Sequence, residues 1–204
     1  MNALTIARSE LILGGQKSGK SRRAELLARD WLAQSTSHRA LMIATAQPWD
    51  DEMRQRITRH QLDRAERVPG MTTVEEPLLL AEAIQAHSHP DTLIVVDCLT
   101  LWLTNCLMPA VAELPADTPQ EYMENQPPAL MDKGHVAKLL IAINQAPGPL
   151  VLVGNEIGLG VIPMGREVRA FVDALGLLNQ SVAGTCQRVT LMAAGLPLTL
   201  KDIP

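Results

Sequence analysis

The stretch LILGGQKSGKS, residues 11–21, sets three glycines, two lysines and two serines behind three apolar residues. From Gly14 through Gly19 to Lys20 and Ser21 the spacing fits G-x-x-x-x-G-K-[ST], the pattern of a phosphate-binding loop. The residue types suit that chemistry. Backbone N–H groups of Gly14, Gly15, Gln16, Lys17, Ser18 and Gly19 can curl around a β-phosphate, Lys20 can reach the β/γ oxygens, and the Ser21 hydroxyl can bind Mg²⁺. The bland alternative is a glycine turn in front of an ordinary helix. Context argues against it: Leu11, Ile12 and Leu13 read as the end of a buried strand. SRRAELLARDWLA then places Ala24, Leu27, Ala28, Trp31 and Leu32 on one helical face.

A second signal is LIVVDCLTLW, where an apolar strand ends in Asp97. A carboxylate at the carboxyl end of a strand beside such a loop is where a P-loop enzyme keeps its Mg²⁺ partner. The competing reading makes Asp97 the N-cap of the helix that begins near Leu99. The third signal is ATAQPWDDEMRQRITRHQLDRAERV, residues 44–68. Asp50, Asp51 and Glu52 open a helix and favour its positive end. Arg56, His60 and Arg64 then follow at i, i+4 and i+8, with Met53 and Ile57 on a neighbouring face for burial. Such a row suits a phosphate. Flanking guanidiniums would keep His60 neutral, able to act as a nucleophile, and would stabilise charge on an attacked phosphoryl group. Spacing alone favours a plainer reading, a solvated helix with weak Glu52–Arg56 and His60–Arg64 contacts.

The elements that must carry these residues alternate. Buried strands are expected at 11–13, 41–44, 93–96, 150–153 and 189–193. Helices are expected at 20–33, 50–67, 78–87, 99–107, 131–145 and 166–183. The fold class is α/β with a mainly parallel sheet flanked by helices. At the end, RVTLMAAGLPLTLK implies a hairpin around Gly195, Leu196 and Pro197, and so an antiparallel edge. Residues 108–131 carry Pro109, Pro115, Pro119, Pro127 and Pro128 and cannot form one regular element. They read as an excursion or lid, or as an insertion with no role. Thr45, Glu75, Glu76, Asn155 and Glu156 follow strand-like runs and could face the ligand edge of the sheet, although each alone is more often a cap. GNEIGLGVIPMG, with four glycines, could let a loop approach a bulky ligand or simply connect two elements.

A chain of 204 residues suits a single domain spanning 1–204. Only 2% of residues are aromatic and the net charge is −4, which leaves little for stacking on bases or attracting a polyanion. No nucleic-acid partner is expected; the partner is small. Cys98, Cys106 and Cys186 are odd in number and lack C-x-x-C spacing, so neither a disulfide framework nor a zinc site is indicated. The N-terminus lacks the features of a secretory signal and no apolar run of about 18 residues exists for a membrane span, so a cytoplasmic protein is expected.

Taken together, GGQKSGKS, IATAQPWDDEMRQRITRH, TVEEP, VVDCLTLWLTN, GNEIGLGVIP and LGLLNQSVAG…LMAAGLPLTLK closely resemble one family along almost the whole chain. It is the bifunctional adenosylcobinamide kinase / adenosylcobinamide-phosphate guanylyltransferase of cobalamin nucleotide-loop assembly. The P-loop alone is generic, whereas the DDEM…RI..H helix and the NE.GLG.VP segment are specific. The resemblance implies a RecA-like P-loop fold, a homotrimer, and phosphorylation of the aminopropanol hydroxyl of adenosylcobinamide by ATP or GTP. Transfer of GMP from GTP onto that phosphate follows. It makes His60 the residue that becomes covalently guanylylated. It also places Ala44, Thr45 and Ala46, the residues Gln61, Leu62, Asp63 and Arg64 after His60, and Glu75 in preference to Glu76, near the guanine nucleotide. Gln16 and Lys17 stand where an Ala-Arg pair is common, a mild departure because the backbone does the cradling. An N-terminal extension and the 108–131 segment exceed the compact pattern and bear on how the corrinoid is covered.

In the chemistry this implies, Ser21 and Asp97 hold Mg²⁺, His60 attacks the α-phosphorus, and Arg56 or Arg64 stabilises the charge that develops there. Two rival readings remain open. A simple P-loop small-molecule kinase would have no use for a nucleophilic His60. A RecA-like regulatory or nucleic-acid-dependent ATPase would hydrolyse nucleotide faster with DNA or a protein partner.

Overall fold

Runs such as SELILG, RALMIA, TLIVVD and LVLV are apolar at nearly every position, and strands of that kind are stable where both faces of the sheet are covered. The computed structural model describes residues 4–48, 51–108, 133–161 and 163–203, with the side chains of Arg56, His60 and Lys133 outside that description. In chain order the elements are β1 (Ser9–Gly14), α1 (Lys20–Leu32), β2 (Arg39–Ala44), α2 (Asp51–Arg67), β3 (Met71–Glu75), α3 (Leu80–His87) and β4 (Thr92–Asp97). These are followed by α4 (Leu99–Leu107), α5 (Lys133–Gln145), β5 (Leu150–Val153), α6 (Arg166–Thr185), β6 (Arg188–Ala193) and β7 (Leu196–Asp202).

The strands form one 7-stranded sheet in the order β3-β2-β4-β5-β1-β6-β7. All neighbours pair in parallel except β6 and β7. Alternate residues of each strand feed two separate cores. Leu11, Leu13, Ile43, Ile94, Val96 and Leu152 pack with α3, α4, α5 and α6 through side chains such as Ile84, Trp102, Ile143 and Leu178. Ile12, Met42, Leu93, Val95 and Val151 face the other way, against Ala24, Leu27 and Ala28 of α1 and Val68 at the end of α2. Parallel pairing and this two-sided cover bring the carboxyl ends of β1 to β6 to one edge, where ligands of open α/β sheets bind.

The expected α/β sheet and C-terminal antiparallel pair are both present, and the differences are local. The expected strands omit β3, because as an exposed sheet edge it needs no apolar run: Thr72, Thr73 and Glu75 are exposed. The final turn lies one residue earlier than expected. Ala194 at φ 50 and Gly195 at φ 80 form its two-residue loop, while Leu196 and Pro197 already pair with Ala193 and Met192. Asp97 ends β4, but β5 lies between β4 and β1, so its strand is not the immediate neighbour of the loop-bearing strand. The helix expected from residue 78 begins at Leu80, because Pro77 and a turn bound by Glu76 precede it. The expected starts at residues 50 and 131, and the proline-rich 108–131 segment beyond Met108, lie outside the described residues.

One buried charge ties β1 to its neighbours. Glu10, 1% exposed, accepts hydrogen bonds from Arg23 Nε of α1 at 3.0 Å and from Thr190 Oγ1 of β6 at 2.7 Å. Arg188 Nη1 lies 3.6 Å from its second oxygen. Removing one partner of a buried pair leaves the other charge uncompensated. Glu10→Ala should therefore destabilise the protein by about 3 kcal/mol. A fall in the urea midpoint without a change in its slope checks this; a midpoint within experimental scatter of the wild type would contradict it.

Candidate functional site

The chain leaves β1 through Gly14, at φ 153, and enters α1 through Gly19, at φ 101. Both are conformations that side chains resist. At Gly14 there is also no room: a Cβ would sit 2.5 Å from the Met192 carbonyl oxygen and 2.6 Å from Ser18 Oγ. Ser18 N donates to Gly15 O at 3.3 Å, and Gly195 N, in the β6–β7 turn, donates to Ser18 O at 3.0 Å. The hairpin turn therefore braces the loop from behind. Gly15, Gln16 and Lys17 are exposed, Ser18 is buried, and Ser21 is half-buried in the first turn of α1. This places the loop in the strand–turn–helix setting that a phosphate cradle needs.

Lys20 turns back into this loop. It is buried, and its Nζ donates to Gly15 O at 2.6 Å. Burial pushes its ammonium below the usual lysine range, while the nearby charges of Cys98 and Asp97 act the other way. Burial, reinforced by Asp97, pushes the Cys98 thiol up to about 11 and keeps it neutral. Asp97 is half-buried at the end of β4, and the N-cap of α4 is Cys98, so Asp97 does not occupy the capping position. The carboxylate of Asp97 is thus near enough for its charge to act on the Lys20 ammonium. Among the described residues no group of three or more His, Cys, Asp or Glu could cage a metal. Mg²⁺ takes one or two protein oxygens and completes its shell with phosphates and water, a demand the Ser21 hydroxyl and Asp97 carboxylate could meet.

The other strand ends converge through main-chain contacts. Ala44 and Ala46 are half-buried, and Thr45 is fully buried. Thr45 Oγ1 donates to Cys98 O at 2.7 Å and accepts from Cys98 N at 2.9 Å. Its hydroxyl is therefore engaged in holding β2 to β4. Asn155 N donates to Thr100 Oγ1 at 2.8 Å, Asn179 Nδ2 donates to Asn155 O at 3.0 Å, and Glu156 N donates to Gly14 O at 3.0 Å. The segment after β5 is in this way fastened to the phosphate loop on one side and to α4 on the other.

Position 60 lies in α2; the side chains of His60 and Arg56 are outside the described residues. Arg64 is not on an open cationic row. It is buried, with Nη1 donating to Thr73 Oγ1 of β3 at 3.1 Å and Nε without a partner among the described residues. The surface pairs of this helix are Arg54–Asp51 at 2.6 Å and Arg67–Asp63 at 3.6 Å. Leu62 and Gln61 are exposed, and Gln61 Nε2 donates to Glu75 Oε1 at 3.4 Å. Glu76 is committed elsewhere: its Oε1 accepts from Leu78 N at 2.9 Å and Leu79 N at 2.8 Å, in the turn that leads into α3. The Glu75 carboxylate remains exposed. Sequence reasoning missed Met192 and Gly195, which support the loop, and Thr100, Asn105 and Asn179, which hold the strand ends. The Gly195, Leu196 and Pro197 signal pointed to the hairpin, but nothing local showed which loop it touches.

A strand, a glycine loop with a buried lysine, a following helix and an acidic strand end define a P-loop nucleotide-binding protein. The family described as cobinamide kinase / cobinamide phosphate guanyltransferase matches residues 10–200, and the chain belongs to that family. It is 43% identical to the bifunctional adenosylcobalamin biosynthesis protein CobP of Pseudomonas aeruginosa over 96% of this chain and 98% of that one. It is 34% identical to the bifunctional adenosylcobalamin biosynthesis protein CobU of Escherichia coli over 94% of this chain and 98% of that one. The CobU protein of Salmonella typhimurium is also 34% identical, with the same coverage. The flagellar accessory protein FlaH of Methanocaldococcus jannaschii shows a remote likeness, with a TM-score of 0.48 at 12% identity over 98% of this chain and 80% of that one.

The crowding at Gly14 makes it the most sensitive position of the loop. Gly14→Ala should weaken binding of GTP and ATP at least thirtyfold, roughly 2 kcal/mol, through displacement of the N–H cradle. Calorimetric titration checks this, and near-wild-type affinity in the folded variant would show that the cradle tolerates a Cβ. Because burial lowers the Lys20 pKa, its phosphate-binding charge is present at neutral pH and is lost as pH rises through that lowered value. Nucleotide affinity should fall on that alkaline limb, and Lys20→Met should abolish the dependence.

Proposed function

We propose that this chain, as a single domain over 1–204, phosphorylates adenosylcobinamide with ATP or GTP and then transfers GMP from GTP to give adenosylcobinamide-GDP. The carrying observation is the buried Lys20 ammonium, fixed on Gly15 O at 2.6 Å within a loop that has no room for a Cβ at Gly14. Family membership supplies the substrates. The corrinoid is the small-molecule partner.

In this reading Gly14, Gly15, Gln16, Lys17, Ser18 and Gly19 hold the β/γ-phosphates through their N–H groups, and Lys20 neutralises them. Ser21 and Asp97 would hold Mg²⁺, which offsets phosphate charge when bound. In the kinase step the γ-phosphoryl group passes to the substrate hydroxyl. In the second reaction His60 Nε2 or Nδ1 forms a bond to the α-phosphorus of GTP as the bond to pyrophosphate breaks. The corrinoid phosphate then displaces the histidine, dividing one transfer into two. Placement of His60 in this role rests on the RI..H resemblance and on its helix following directly from the β2 edge of the site. Arg56 or Arg64 would stabilise the developing charge, as their spacing along α2 implied. The partnerless, buried Nε of Arg64 is a donor that an anion would satisfy. Exposed Glu75, with Gln61 beside it, is suited to accept from guanine N–H groups, while Ala44, Thr45, Ala46, Leu62 and Asp63 complete the nucleotide side.

The working form is a homotrimer in the cytoplasm. Leu196, Leu198 and Leu200, exposed by 70%, 57% and 56% along edge strand β7, offer apolar surface for such an assembly to bury. No helix among the described residues is long and apolar enough to cross a membrane.

The test uses Mg²⁺ and GTP labelled at the α-phosphorus. Wild type should retain acid-labile, base-stable label, and His60→Ala should retain none while still binding GTP. Absence of label on a folded, GTP-binding wild type would remove the guanylyltransferase mechanism and leave a P-loop kinase.

A further inference from the structure

The contacts of α4 form a pattern that the nucleotide loop does not explain. Asn105, 2% exposed, stands near the carboxyl end of this helix, away from the loop. Its single amide group makes two donations: Nδ2 to Thr45 O at 2.8 Å and Nδ2 to Pro77 O at 3.1 Å. Thr45 opens the segment leading from β2 into α2, and Pro77 lies in the segment leading from β3 into α3. The same helix supplies a second tie to the latter, Trp102 Nε1 to Leu78 O at 2.9 Å, from a ring that is itself buried. At its start, Cys98 N and O close on Thr45 Oγ1. The bonds on Thr45 are buried and those on Pro77 O and Leu78 O part-buried, and each one ties main chain to α4.

From this geometry we infer that Asn105 is a positioning residue for the guanylyl-transfer half of the reaction. It locks the β2–α2 segment, from which the helix bearing His60 departs, to the β3–α3 segment next to Glu75. The inference rests on the function proposed above. An amide is required because it alone presents two N–H donors from one nitrogen at this length; a carboxylate would set its charge against two carbonyl oxygens. The phosphate loop is fixed by other means, Gly195 N on Ser18 O and Glu156 N on Gly14 O. Phosphoryl transfer from the loop should therefore survive loss of Asn105, whereas the alignment of α2 with the α-phosphorus should not.

Asn105→Ala and Asn105→Ser are compared with wild type, each normalised to the folded fraction measured by circular dichroism. The serine variant keeps one donor and is the one less exposed to folding failure. Protein labelling from α-labelled GTP should fall about tenfold or more in Asn105→Ala and by less in Asn105→Ser. Phosphorylation of cobinamide by ATP should change by no more than about threefold in both. Equal losses of the two activities, or labelling unchanged per folded molecule, would overturn the inference. An unlabelled wild type would instead indict the guanylyl-histidine reading itself, a separate outcome.

Discussion

A buried ammonium is the constraint on which the rest of this structure depends. Lys20 opens α1 under little solvent, and a cation placed there is unfavourable unless oxygen atoms surround it. Gly15 O and the charge of Asp97 supply part of that compensation, and burial still lowers its proton affinity. What remains unsatisfied is suited to phosphate. The loop backbone must stay curled for this to work, which is why Gly14 has no space for a Cβ and why the β6–β7 turn is fastened to Ser18 O.

That requirement explains the division of labour in the sheet. The central parallel strands are apolar on both faces and provide a rigid base, covered by four helices on one side and by α1 with the end of α2 on the other. The polar residues at the carboxyl edge spend their hydrogen bonds mainly on one another's backbone. Thr45, Thr100, Asn105, Asn155 and Asn179 form a chain of such ties from β2 across β4 to the segment after β5. Buried polar networks of this kind fix geometry more than they add net stability. The charged groups left available for chemistry, Asp97 and Glu75 among the described residues, stand on strands steadied by that chain.

The two ends of the sheet serve different purposes. At the β3 edge, Arg64 crosses from α2 to Thr73, and Gln61 reaches Glu75, so helix and strand share side-chain contacts where the base of a nucleotide is expected. At the β7 edge, a tight turn with two positive φ values folds back on the phosphate loop, and leucines remain exposed along the strand. One end joins helix to strand through side chains, and the other supports the phosphate loop.

The sequence by itself determined the phosphate loop, the alternating α/β order, the acidic end of β4 and the antiparallel finish, because these are written in short-range spacing. A glycine pattern between apolar strand and amphipathic helix carries its own local conformation, and the RI..H and NE.GLG.VP segments carry the family. Tertiary structure alone decided that β5 separates β4 from β1, that β3 is the edge of the sheet, and that Glu76 binds the turn before α3 while Glu75 stays exposed. It also turned Arg64 inward, away from the row its spacing implied, and bound Ser18 to Gly195. These outcomes depend on contacts between residues far apart in the chain, whose energies come from burial and pairing that no window of neighbouring residues contains.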